Sequence, residues 1–375
     1  MHKLKRIALA GFGIARGMFD YPAAWFGWFR SQDALAAAVG EILMIGFYGA
    51  DSKSPSARLL ARQMSRGQVG GVFFVSQNIG SLKKVKELIK LFCRNECRPL
   101  LGIDHEGGIV QRLTTAHGFT YLPGAREIAS TMSLPEARAL YGQAGFELRN
   151  LGFNVNLGPV LDIDVPSTPG IGRHGRAYHI CPKVIASYGQ AFVEGFTSAG
   201  VLCAAKHFPG HGKAVNDSHA AIANISTTWT EQELEPFIRL LASPNPPQLM
   251  MTGHLRIDSI APEGLPVSTS TTLVTGLLRQ RLGYKGVIVT DDLDMKAMSR
   301  VMSRREALVK SIAAGNDLIM IKNLFNYDPL LPQRAVSWVR TAIAEGQLSE
   351  AQVLAAANRV RKLRHQEKQG SVLQN

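Results

Sequence analysis

The 375 residues include only four cysteines, Cys93, Cys97, Cys181 and Cys203, and no CxxC pair. That excludes a disulfide framework and a cysteine-rich zinc site; reduced thiols are expected, with Cys203 as a core residue inside an apolar run. No stretch approaches the roughly 20 apolar residues that a bilayer span requires. There is no Walker motif, no GxGxxG after a strand and no GxSxG elbow, so the phosphate-loop, dinucleotide-binding and α/β-hydrolase classes are set aside. Acidic residues are few: 29 Asp and Glu against 42 Lys and Arg, a net charge of +13. Such a field favours anionic partners and says nothing about fold. The remaining composition, 46 % hydrophobic and 19 % charged, is that of a globular protein large enough to bury a core without staples.

Much of the positive excess sits at the two ends. Lys3, Lys5, Arg6 and Arg16 precede an aromatic cluster of Trp25, Phe26, Trp28 and Phe29. Residues 3–15 imitate the start of a signal peptide, but Arg16 and Asp20 interrupt it and no small-x-small cleavage site precedes Trp25. Residues 1–38 are therefore read as a basic, aromatic extension, either packed on the domain or touching a membrane surface weakly. At the other end, Arg359, Arg361, Lys362, Arg364 and Lys368 follow an alanine-rich helical stretch and read as a solvated face. No aromatic and basic interleaving of a nucleic-acid module is present, so nucleic acid is not expected as a partner. The remaining expectations are a domain over 39–375, a monomer and a cytoplasmic location.

From residue 40 onward short apolar runs alternate with helix-length segments, the pattern of βα units on a parallel sheet. Eight strands are expected, over 42–47, 71–75, 99–104, 154–160, 202–208, 248–255, 287–292 and 318–323. Helices are expected over 81–95, 135–151, 182–199, 231–241, 271–282 and 304–314, several of them stopped by glycine. Gly152, Gly200, Gly283 and Gly315 each lie shortly before a strand. Eight such units predict a (β/α)₈ TIM barrel in a single domain, with a doubly wound open sheet as the alternative. Six of the eight runs end in polar residues: Asp104 and Glu106, Asp162 and Asp164, Lys206 and His207, His254, Asp291 and Asp292, Lys322 and Asn323. In a barrel these ends share one rim, where active sites are built.

Three segments carry chemistry. In Thr290-Asp291-Asp292-Leu293-Asp294-Met295 a buried strand delivers Asp291 to the rim with little freedom, which suits a carboxylate nucleophile. Asp292 or Asp294 is expected to cap the helix that follows. In the segment from Lys206-His207-Phe208-Pro209-Gly210-His211-Gly212 to Asp217-Ser218-His219, the proline and glycines permit a loop. Asp217 and His219 are close enough for the carboxylate to orient the imidazole, as a general acid/base needs. The three histidines raise the question of a metal; no metal and no cofactor are expected. In Asp104-His105-Glu106-Gly107-Gly108 through Gln111-Arg112, a Gly-Gly turn returns Arg112 toward Asp104, and such a pair can grip vicinal sugar hydroxyls.

Together these segments resemble family 3 of the glycoside hydrolases, and within it the single-domain bacterial β-N-acetylglucosaminidases of cell-wall recycling. The likeness runs over residues 40–345. It implies Asp291 as nucleophile, His219 with Asp217 as acid/base, and sugar-binding roles for Asp104, Arg112, Lys206 and His207. A further family arginine falls on Arg176, in Arg176-Ala177-Tyr178, with Arg173 as the weaker candidate because residues before Arg176 look inserted. His105 departs from the family's usual glutamine. Many members take the acid/base from a second domain; with the sequence ending at Asn375, the Asp217–His219 pair is expected to supply it. The resemblance implies a retaining mechanism through a covalent glycosyl-enzyme. It also implies terminal β-linked N-acetylglucosamine as the sugar, in a saccharide partner such as GlcNAc–anhydro-N-acetylmuramic acid with or without peptide. Competing readings are a phosphorylase, a broader β-glucosidase and a silent saccharide-binding barrel.

Overall fold

All eight expected apolar runs form strands, and every strand residue is buried. In chain order they are β1 (Leu43–Ile45), β2 (Gly71–Phe74), β3 (Leu100–Ile103) and β4 (Val155–Asn156), then β5 (Leu202–Phe208), β6 (Leu249–Thr252), β7 (Val287–Thr290) and β8 (Ile319–Ile321). The computed structural model describes residues 33–94, 99–211, 213–214, 222–324 and 326–372, with side chains as far as 365. The described residues from 35 onward belong to one compact unit. Strands buried on both faces show continuous apolar runs instead of alternation, as parallel sheets covered by helices do.

The strands pair in the order β7-β6-β5-β4-β3-β2-β1-β8, all neighbours parallel. A bridge between Val289 and Leu318 joins the two ends of that row. There the Thr290 N–H donates to the Leu318 carbonyl at 3.0 Å. The sheet is therefore closed, which makes it a (β/α)₈ barrel and removes the open-sheet alternative.

Helices follow the strands nearly as expected, for example Leu82–Phe92, Leu134–Leu151, Pro182–Ser198 and Arg304–Ala314. Gly152 and Gly315 end the second and fourth of these at φ +111° and +106°, a left-handed turn that only glycine enters without strain. The helix expected over 231–241 starts later, at Glu235, after a single 3₁₀ turn. Thr272–Arg281 is a π-helix.

Each strand stops at or before its expected end, because the apolar pattern runs past the ladder into the rim. The shortfall is largest in β4, where Pro159 has no N–H to donate. Pairing resumes through a bridge from Val160 to Lys206. Inside the barrel the Met44 side chain lies over Gly102 and leaves no room there for a Cβ. That contact fills the interior below the rim.

The carboxyl-terminal basic cluster corrects one expectation. Arg359 donates to Asp317 at 2.6 Å, and Arg364 pairs with Glu41 at 2.6 Å. These two side chains tie the last helix to the barrel's amino-terminal end and are not merely a solvated face. Among the described residues no helix is long and apolar enough to cross a membrane.

Candidate active site

A cavity of about 500 Å³ opens at the carboxyl ends of the strands. Asp104, Arg112, Arg176, Lys206, His207 and Asp291 all line it. Six of the eight residues expected at the site are thus brought together from β3, β5, β7 and two loops. Asp217 and His219 lie outside the described residues. Arg173 is exposed and does not line the cavity, so of the two arginines only Arg176 has access to it.

The hairpin after β3 pairs His105–Gly107 with Val110–Gln111 through a Gly107-Gly108 turn at φ +108° and +54°. It returns Arg112 to donate to Asp104 at 3.1 Å, as the sequence predicts. The same strand-like alternation places Asp104 and Glu106 on one face. Lys206 lies between them, its Nζ 3.0 Å from Asp104 and 2.5 Å from Glu106. Arg176 closes the row with a two-pronged pair to Glu106, Nε and Nη2 each at 2.8 Å. Three cations and two carboxylates therefore alternate along one wall. Burial alone would raise the pKa of Asp104, but Lys206 and Arg112 outweigh it and hold the carboxyl well below the ordinary range. Glu106 is likewise opposed by burial and brought down to about 2 by Arg176 and Lys206. Both are fixed charges, not proton donors.

Two further features hold this wall. The register between β5 and β6 shifts between Ala205 and Phe208, which re-aims Lys206 and His207. The loop carrying Arg176 is anchored by Arg126, which grips Asp164 with two bonds of 2.6 Å and donates to the Gly172 carbonyl.

Asp291 directly follows β7 and accepts the Asp292 N–H at 2.8 Å. Burial opposes its charge, yet His254, His207, that N–H and Lys206 lower its pKa, so the carboxylate stays ionised. Asp292 behaves oppositely. Burial, with Asp294 beside it, pushes its pKa up to about 7. Its Oδ1 accepts the N–H groups of Lys322 at 2.7 Å and Asp294 at 3.0 Å. Asp294 is held by Arg304 at 2.7 and 2.8 Å and accepts the Asn323 N–H. Neither aspartate caps the helix Lys296–Ser299, whose N-cap is Met295; both instead tie the end of β7 to the end of β8. His254 has both ring nitrogens engaged, with Ser268 at 2.8 Å and the Asp292 carbonyl at 2.9 Å. It has none left for a ligand.

His207 Nδ1 lies 2.7 Å from Asp162. The other oxygen of Asp162 accepts the backbone N–H groups of His207 and His211. His211 lines the cavity, its Nδ1 buried without a protein partner, and burial lowers its pKa to about 4. His207 and His211 are four residues apart, but Pro209 and Gly210 keep them off any helix. Among the described residues no group of three His, Cys, Asp or Glu is placed to hold a metal.

Glu106, Asp162 and Asp292 are the parts of this site to which the sequence reading gave no ligand role. The i, i+2 spacing of Asp104 and Glu106 on one strand face was a usable signal for the first. Nothing in the sequence joins Asp162 to His207, which are 45 residues apart.

Comparison with known proteins agrees with this geometry. Beta-hexosaminidase of Idiomarina loihiensis is 32 % identical over 289 residues, 75 % of this chain and 83 % of that protein. Beta-hexosaminidase A of Pseudoalteromonas piscicida is 28 % identical over 87 % of this chain, which spans 60 % of its length. Among solved structures, a glycoside hydrolase family 3 beta-N-acetylglucosaminidase from Paenibacillus sp. superposes with a TM-score of 0.80 at 33 % identity, covering 89 % of this chain and 62 % of that one. This chain thus spans less than two thirds of the length of two of the three. Residues 35–363 match the family described as glycosyl hydrolase family 3 N terminal domain, and with a barrel rim of this composition beneath that match, the chain belongs to glycosyl hydrolase family 3.

Proposed function

We propose that this chain is a retaining β-N-acetylhexosaminidase that releases terminal β-linked N-acetylglucosamine. One observation carries the reading: an ionised carboxylate, Asp291, fixed at a strand end, shares a cavity with a wall of alternating cations and carboxylates. Asp104, Arg112, Arg176, Lys206 and His207 offer paired donors and acceptors for sugar hydroxyls. Asp291 Oδ attacks the anomeric carbon as the bond to the leaving oxygen breaks, and that oxygen takes a proton. Water then attacks the same carbon, gives up a proton to the base, and frees Asp291.

The acid and base of both steps is His219, oriented by Asp217. Two supports bear on this. Glu106 is committed to Lys206 and Arg176, and His254 to Ser268 and the Asp292 carbonyl, so neither of these two holds a transferable proton for the substrate. The two residues also follow the Lys206–His211 segment that lines the cavity. The substrate is a GlcNAc–anhydro-N-acetylmuramic acid fragment of the cell wall, handled in the cytoplasm by a barrel domain over 39–375 behind an extension of residues 1–38. The names of the relatives support the hexosaminidase part of this; the cell-wall context rests on the motif resemblance and the positive net charge.

Release of the chromophore from an aryl β-N-acetylglucosaminide should far exceed release from the matching glucoside, with sugar and not sugar phosphate as product when phosphate is added. Comparable rates on both glycosides would move the chain to a broader β-glucosidase, and a sugar phosphate would make it a phosphorylase. His219→Ala should slow poor leaving groups far more than activated aryl ones, with azide restoring the second step. Equal slowing of both, with no azide effect, would remove His219 from the proton transfer.

A further inference from the structure

Asp162 has no contact with the cavity, yet it is wholly buried and accepts three hydrogen bonds at the foot of the segment that lines it. Its Oδ1 takes the backbone N–H of His207 at 3.2 Å and of His211 at 2.8 Å. Its Oδ2 meets the His207 ring at Nδ1, 2.7 Å away. Amide N–H groups only donate, so Oδ1 is an acceptor in any state of the protein. The single open question at this junction is which atom carries the proton between Oδ2 and Nδ1. Burial works against an ionised Asp162, but His207, His211 and the bonded N–H groups overcome it and keep the carboxyl below its ordinary value. An ionised carboxylate has no proton to give, so Nδ1 must be the donor.

We propose that Asp162 is a positioning residue that sets the tautomer of His207, holding a proton on Nδ1 so that, in the singly protonated ring, Nε2 is the acceptor left to the cavity. The consequence for a ligand follows from what else lines the site. Arg112, Arg176 and Lys206 can only donate, while Asp104 and Glu106 accept but are already drawn to those cations. A neutral Nε2 accepts from a sugar hydroxyl without placing another charge beside Asp291. The opposite tautomer presents an N–H to the same hydroxyl and reverses that preference. Asp162 selects between the two without touching the ligand, and the same carboxylate fixes the turn at His211.

Asp162→Asn separates this role from simple support. The amide oxygen still accepts both backbone N–H groups, but its NH₂ faces Nδ1 and forces the ring proton onto Nε2. In protein labelled with ¹⁵N histidine, and with His207→Gln to assign the signal, neutral His207 should show a protonated Nδ1 and a bare Nε2. Asp162→Asn should exchange the two. Its kcat/KM should fall about 10- to 100-fold, the range of one charge-assisted hydrogen bond. His207→Gln should fall as far, and the double variant no further than His207→Gln alone. A wild-type ring protonated at Nε2, an unchanged tautomer in Asp162→Asn, or additive losses in the double variant would each overturn the proposal. Should Asp162→Asn not fold, the wild-type spectrum alone decides. Only the kinetic arm rests on the glycosidase reading: a wild type inactive on every glycoside would overturn that reading and leave the spectrum to be judged by itself.

Discussion

The two ends of the barrel use the same ingredients to different effect. At the amino-terminal end, before β8, Asp317 has no exposed surface and is gripped by Arg279 and Arg359, with the Ile288 N–H donating to it at 2.8 Å. Arg279 gives further bonds to the carbonyls of Tyr284 and Gly286 at 2.9 and 2.7 Å. At the carboxyl-terminal end, Asp104, Glu106, Lys206, Arg112 and Arg176 make a comparable network, but a cavity borders it. There Arg112 Nε and His211 Nδ1 are buried with no partner among the described residues; Gln68 Nε2, before β2 at the other end, is unpartnered too but does not line the cavity. Buried polar atoms ordinarily find a partner, so bonding capacity left over beside a cavity is a mark of ligand binding. Ion pairs alone do not distinguish the ends.

Four substitutions test that contrast, the largest effect first. Asp291→Ala should reduce turnover on the order of 10⁴-fold or more while leaving the thermal midpoint nearly unchanged. A mechanism-based fluorosugar should label Asp291 in the wild type, and label on Asp292 would transfer the role. Asp317→Ala should do the reverse. Removing one member of a buried ion network destabilises by about 3–5 kcal/mol, so denaturant midpoints should drop while kcat at low temperature holds. Loss of activity without loss of stability there would erase the distinction between the ends.

Arg176→Ala removes a two-pronged grip on Glu106 and the proposed sugar donor, and kcat/KM should fall by roughly 2–3 kcal/mol in equivalent terms. An effect confined to stability would place Arg176 with the stitches of the other end. Asp292 gives the smallest and most pH-dependent effect. Its folded pKa of about 7 lies above the ordinary value of 3.8, so its stabilising contribution is full below about pH 4 and is lost as pH rises toward 7. Asp292→Asn keeps the oxygen that accepts from Lys322 and Asp294 and deletes the titration. Relative to wild type, the variant should gain roughly 1–2 kcal/mol in unfolding free energy between pH 5.5 and pH 8. A difference that stays constant with pH would show that Asp292 does not titrate in that window.

Sequence patterning located the strands well because parallel strands in a barrel are continuous apolar runs, and the rim followed because polar residues stand where those runs stop. Asp104, Lys206, His207 and Asp291 were legible for that reason, and Arg112 because Gly107 and Gly108 announce a turn. Strand ends were overextended, since hydrophobicity continues past the last ladder bond and Pro159 breaks β4 early. The capping role expected for Asp292 or Asp294 failed because both carboxylates are taken by β8 and Arg304. Links such as Asp162 to His207, Arg126 to Asp164 and Arg359 to Asp317 are products of chain closure across 45, 38 and 42 residues, and local patterns do not record them.

The contact of Met44 with Gly102 has a kinetic consequence. It is one of the side-chain layers that fill a barrel of this kind, beneath a cavity whose strand-borne lining includes Phe73, Met251 and Met320. A monosaccharide left there after cleavage has no way out through the axis, so it departs through the mouth by which the next substrate must enter. The two wait in one queue: free sugar should inhibit competitively, and turnover at high substrate should be paced by how fast the spent ring backs out.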